Sequence, residues 1–98
     1  MANTVQVIPT FYVRPTARVD VDFRVVSTDN DTVQSVAAIV IAPAGQLTSD
    51  DIDIVGNVAK VWLNAASAVD EVDYLVTAKI TTQLGRIEVG VVTIKVRA

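Results

Sequence analysis

The residues of this chain best suited to chemistry are three acidic clusters: Asp29-Asn30-Asp31, Asp50-Asp51 with Asp53, and Asp70-Glu71 with Asp73. Grouped carboxylates are hard-cation ligands, and Asp29-Asn30-Asp31 has the opening spacing of a calcium loop. The glycine and the distal bidentate glutamate that complete such a loop are missing. Paired carboxylates also serve glycosidases, but that reaction needs a cleft and an acid of raised pKa, for which 98 residues leave little room. The chain has no His and no Cys, so zinc loses its preferred ligands. Ser27, Ser35, Ser49 and Ser67 likewise have no imidazole to activate them. These residues predict a protein that is not an enzyme, with no catalytic group, metal or cofactor, whose Asp clusters form solvated turns. The alternative from another class is a calcium- or carbohydrate-binding module with those clusters as ligands.

Recognition by aromatic side chains is the next possibility. Trp62, the only tryptophan, lies in Val58 to Asn64, which fits either a helix or a strand. A strand is favoured because Gly56-Asn57 precedes it. If Ala59, Val61 and Leu63 then face inward, Trp62 points outward beside Lys60 and could anchor a partner. The competing reading has Trp62 covering the end of the core or lying beneath a loop. Tyr74 follows an acidic turn and precedes the inward Val76 by two residues, the spacing of a tyrosine corner in immunoglobulin-like domains.

Charge narrows the partners. A formal charge of −3 disfavours nucleic acid, whose binding rests on neutralised phosphates. Residues 28–73 are acidic, and the segments on either side are mildly basic. Turn chemistry accounts for that block, and charge complementarity between neighbouring copies or with another subunit is the sharper reading. The longest apolar run, Val36 to Ala44, is far short of the roughly 20 residues of a membrane helix and contains Pro43. The N-terminus lacks the basic region and apolar core of a signal peptide, which predicts synthesis in a cytoplasm.

The elements that must position these groups are strands. The 20 Val, 8 Ile and 10 Thr make a β-branched composition that suits a pleated sheet and nearly excludes a helical bundle. Val19 to Val25 alternates apolar and polar residues, as does Asp73 to Thr82. Val5 to Tyr12 is β-rich but contains Pro9, which places it at a sheet edge. The run Val33 to Ala42 lacks clean alternation and reads as a strand covered on both faces. A short strand is expected around Ile52 to Val55. Gln83 to Arg86, with Gly85 able to take φ > 0, turns the chain into Ile87 to Val96. There the apolar phase switches from Ile87, Val89 and Val91 to Val92, Ile94 and Val96, which a β-bulge near Gly90 would explain. About seven strands joined by turns predict one domain over residues 1–98, an all-β, immunoglobulin-like antiparallel β-sandwich, with a small barrel as runner-up.

The second half also carries a resemblance. Lys60-Val61-Trp62-Leu63-Asn64-Ala65-Ala66, Val72-Asp73-Tyr74-Leu75-Val76, Ile80-Thr81-Thr82-Gln83-Leu84-Gly85-Arg86 and Thr93-Ile94-Lys95-Val96-Arg97 together resemble the small fibre–tail adaptor proteins of tailed bacteriophages. Asn64-Ala65-Ala66 stands where that family usually has Ser-Gly-Gly. The turn before Tyr74 is also longer and more acidic than the family's. The resemblance implies a virion structural protein, present in several copies or as a homo-oligomer. It would dock at the tail, neck or fibre attachment and contact other virion proteins, neither nucleic acid nor membrane. A capsid decoration protein is the alternative within that class. The candidate partner-binding residues are Trp62 and Lys60, with Val5, Val7, Phe11 and Tyr12 of the N-terminal edge segment.

Overall fold

The computed structural model describes residues 4–27 and 29–98. The N-terminal reading at residues 1–3 and Thr28 of the first acidic turn lie outside them. Eight strands follow one another: β1 (Thr4–Gln6), β2 (Thr10–Val13), β3 (Arg18–Val26), β4 (Val33–Ala42), β5 (Thr48–Val55), β6 (Val58–Asn64), β7 (Asp73–Thr82) and β8 (Ile87–Val96). They form two four-stranded sheets, ordered β1-β3-β6-β5 and β2-β8-β7-β4. This is the immunoglobulin-like sandwich, with β3, β6 and β5 facing β4, β7 and β8.

The N-terminal edge segment is not one strand. Pro9 has no N–H to give a ladder, and the chain breaks there. β1 pairs antiparallel with β3 in the first sheet, while β2 pairs parallel with β8 in the second. That split raises the expected seven strands to eight and makes the second sheet mixed. Each short strand caps one sheet on the same side of the sandwich.

The core follows the pleat. Val21, Phe23 and Val25 of β3 and Ala59, Val61 and Leu63 of β6 face Tyr74, Val76, Ala78 and Ile80 of β7 and Val92, Ile94 and Val96 of β8, all at most 1% exposed. Each fully buried Val, Leu, Ile or Phe side chain contributes about 1.5–3 kcal/mol relative to exposure. Val58 to Asn64 is a strand, its burial alternating at every residue.

Two expectations are corrected. β4 is not covered on both faces. It lies at the edge of its sheet, Ile39 and Ile41 are only half-buried, and Val40 on the other face is 62% exposed. An apolar run marks a strand without saying what will cover it. The bulge near Gly90 is also absent, since β7 and β8 pair without a slip from Asp73↔Lys95 to Thr81↔Ile87. Instead Gly90 occupies an inward position opposite Ala78. A Cβ there would lie 2.6 Å from Phe23 Cδ1 and 2.7 Å from Val5 Cγ1. The ring of Phe23 takes the space a side chain would fill, so the inward stripe of β8 has a gap at Gly90. Ile87, Val89 and Val91 remain outward.

Two polar devices lock the ends. Tyr74 is fully buried; its hydroxyl accepts from Val69 N–H at 2.9 Å and donates to Gln46 Oε1 at 2.6 Å. That is the tyrosine corner the sequence predicts, closing β7 onto the preceding loop. At the opposite end Gly85 takes φ +82° in the β7–β8 hairpin, and Arg86 N–H donates to the buried Thr82 Oγ1 at 3.1 Å. The Arg86 guanidinium reaches back to Asp29 and Asp31. The Asp31 side chain is buried, and its Oδ1 accepts from Thr32 N–H at 3.0 Å and Leu84 N–H at 3.1 Å. The Thr82-Gln83-Leu84-Gly85-Arg86 string is therefore a hairpin clamped to the loop after β3.

Candidate functional site

Asp29, Asp31, Asp50 and Asp73 meet cations of the chain itself. Among the described residues, no group of three or more carboxylates converges on a metal-sized site. Asp50 takes a bidentate pair from Arg18, with Nε to Oδ2 and Nη2 to Oδ1 both at 2.9 Å. Asp73 accepts from Arg97 at 2.8 Å and lies 3.7 Å from Lys95. Bonding to these guanidinium groups holds Asp50 and Asp73 below the usual carboxylate range, and the Arg86 guanidinium brings Asp29 down to about 2. Paired forks of this kind fix loops and strand ends.

The two outer faces of the sandwich differ in chemistry. On the first sheet, outward positions of β3, β6 and β5 stand side by side as Arg18, Asn64 and Thr48; Asp20, Trp62 and Asp51; Asp22, Lys60 and Asp53. Trp62 does point outward beside Lys60, as the alternation requires, and its ring is half-buried. The Arg18 guanidinium lies 4.3 Å from the ring centroid, a cation–π contact made while the same group holds Asp50. Trp62 Nε1–H donates to Asp53 Oδ2 at 3.3 Å, and Lys60 Nζ is 3.7 Å from Asp20. The result is a polar plate with a tryptophan inlaid in it, suited to hydrogen-bonded and ionic recognition.

The outer face of the second sheet is apolar through its middle. Leu75 of β7 lies between Ala42 of β4 and Thr93 of β8, and Thr77 lies between Val40 and Val91. Val40, Leu75, Ile87, Val89 and Val91 are 45–62% exposed. Nothing in the sequence reading pointed to this face as a site. Its signal was present in the phase switch along Ile87 to Val96, which places apolar residues on both sides of one strand.

The N-terminal candidates separate. Val5, Val7 and Phe11 turn against the core, whereas Tyr12 is 72% exposed on the outer side of β2, opposite Lys95. Sequence spacing put these four on one edge, and the fold divides them between two sheets. Trp62 and Lys60 are on the far face from Tyr12, so the six candidates form no single patch.

Together these features define an immunoglobulin-like β-sandwich whose outer faces, rather than a cleft, carry its distinctive chemistry. Murine CRIg superposes with a TM-score of 0.56 at 13% identity, with 100% of each chain covered. The twitchin kinase region of C. elegans gives a TM-score of 0.55 at 15% identity over 96% of this chain. The match spans 16% of the twitchin chain. Both likenesses concern the fold alone, and no curated protein matches the sequence. Residues 14–95 match the family described as podophage GP4 fiber-tail adaptor protein gp77, and the chain belongs to that family.

Proposed function

We propose that this protein is a non-catalytic docking module at the junction of tail and fibre, present in several copies in the virion and made in the cytoplasm of the bacterial host. The observation that carries this reading is the family match over residues 14–95, which includes both the Tyr74 corner and the Arg86 clamp. The architecture is consistent with it. A sandwich whose loops are tied by Tyr74 at one end and Asp31–Arg86 at the other can hold two partners at fixed separation. Its polar and apolar faces offer them different chemistry.

On the polar face, Trp62 and Lys60 would contact a partner through the edge of the indole and the ammonium group. Tyr12 would contribute from the opposite sheet. Val5, Val7 and Phe11 would act indirectly, by seating the two N-terminal edge strands whose backbone a neighbouring subunit could pair with. The partners are other virion proteins.

Quantitative mass spectrometry of purified virions tests the proposal together with a phage carrying a nonsense codon in this gene. The expected result is a copy number that is a small multiple of three or six, with filled heads lacking fibres in the mutant. A copy number in the hundreds with intact fibres would mean a capsid decoration protein instead.

A further inference from the structure

The two sides of the sandwich are closed differently. On one side residues 4–13 supply an edge strand to each sheet, and Val5, Val7 and Phe11 pack against the core. The other side ends on β5 and β4, the remaining edge strands. Ile52 and Ile54 of β5 stand opposite the core residues Val61 and Ala59, and Ile39 and Ile41 of β4 opposite Ala78 and Val76, so all four face inward. Yet Ile52 and Ile54 are exposed, and Ile39 and Ile41 are only half-buried. We propose that a second copy of the chain closes this side, with β4 pairing antiparallel to its own counterpart across a two-fold axis at Val40.

The register of β4 supports that occupant. The strand carries no charged side chain, whereas exposed sheet edges are ordinarily guarded by charge, proline or a bulge. Its guards bracket one short stretch. Ala37 is the extra residue of the register shift between Val36 and Ala38, and Pro43 after the strand has no N–H to give. Residues 38–42 between them pair with β7 without a slip, and among the described residues no loop hydrogen-bonds to their free edge. An axis at Val40 sets Val40 on Val40, Ile39 on Ile41 and Ala38 on Ala42, each pair sharing one face of a continuous sheet. The same axis sets Ala37 against Pro43, so the ladder stops at both ends through one contact. Moving the axis one residue either way brings Ala37 or Pro43 inside the ladder.

The other edges do not offer this fit. β1 and β2 have three and four residues, and β5 turned on itself about Ile52 would set Asp51 against Asp53. No charges meet along the β4 seam, because Asp51 and Asp53 belong to the outer face of the other sheet, beside Trp62 and Lys60. Five residues at ~3.4 Å each across a sandwich 20 Å deep cover on the order of 350 Å² per copy. That is under half the ~800 Å² of a standard interface, so the contact is weak alone and fills where copies are held close together.

Sedimentation equilibrium of the purified chain tests this. At about 1 mM, where a contact this small is populated, the average mass should rise from 10.5 kDa toward twice that value. Val40→Lys and Val40→Asp should each hold the mass at 10.5 kDa with unchanged circular dichroism, because only a residue on the axis meets its own copy. Mixed in equal amounts, these two variants should associate again, and more tightly at low salt. Val91→Asp, on the outer face of the same sheet two strands in from β4, should associate as the unmodified chain does. A monomer at every concentration overturns the proposal, and a strand of another virion protein on this edge would give that result. Association that survives Val40→Lys, a mixture that stays monomeric, or loss of association in Val91→Asp overturns it equally. The adaptor role rests on the family match and would survive each of these results.

Discussion

Gly90→Ala tests how the two sheets meet. In an ordinary strand the change is mildly favourable, because glycine loses more backbone entropy on folding than alanine, by roughly 0.5–1 kcal/mol. Here the added methyl would stand 2.6 Å from Phe23 Cδ1, 2.7 Å from Val5 Cγ1 and 3.0 Å from Phe23 Cε1. Val5 belongs to a three-residue edge strand and can yield, whereas Phe23 is fully buried at the centre of β3. Relief therefore requires the ring to leave its rotamer or the sheets to part. Overpacking of that kind costs about 1–3 kcal/mol, which outweighs the entropic gain and leaves a net loss of about 1–2 kcal/mol. For a domain of this length, that lowers Tm by roughly 5–15 °C. Urea titration followed by Trp62 fluorescence measures the loss directly. Phe23→Leu in the Gly90→Ala background should recover part of it, giving a favourable coupling in the double-mutant cycle. A neutral or stabilising Gly90→Ala would refute the reasoning, since Phe23 would then not lie over Gly90 and the outward placement of Val89 and Val91 would fall with it.

Tyr74→Phe should cost about 1–3 kcal/mol in urea titration, because Val69 N–H and Gln46 Oε1 lose their buried partner. Asp31→Ala leaves Thr32 N–H and Leu84 N–H without an acceptor, so a loss of about 2 kcal/mol is expected. Amide exchange in that variant should quicken first at the β7–β8 hairpin. Acid should destabilise the fold in a defined window. Asp29, Asp50 and Asp73 bind protons less readily in the folded chain than their ordinary 3.8, so their contribution is complete above that value. It is lost as pH falls toward about 2, the value for Asp29. Tm should be level from neutral pH to about 5 and drop below about 4, with a smaller drop in high salt because the pairs are solvent-facing; a Tm that rises on acidification would contradict these pairings.

Much of the fold was legible because this sequence writes its sheet in side-chain chemistry. Where one face is polar, as at Val19 to Val25, period-2 alternation fixes which residues enter the core, whereas Val58 to Asn64 fits a helix as well until pairing with β3 and β5 makes it a strand. The acidic turn before Tyr74 and the Gly85 hairpin were equally readable, since each device is local in the chain. The candidate site was less so. Trp62 could be read as an outward anchor or as a cover for the end of the core; it points outward but half-buried, and its cover by Arg18 comes from a strand 44 positions away in sequence. The pairing of Arg86 with Asp29 and Asp31 is likewise a contact between distant segments.

The sequence by itself determined that the chain is β, where it turns, and which strands have a polar side. Only the tertiary structure decided the sidedness of strands that are apolar on both sides. Alternation has no sign where both faces are apolar, so the opposing sheet settles the matter. Phe23 of β3 fills the space at Gly90, which commits Val92, Ile94 and Val96 to the core and leaves Ile87, Val89 and Val91 outside. The same physics left β4 half-uncovered: an edge position in the sandwich, set by strand order, determines what an apolar run has to cover it.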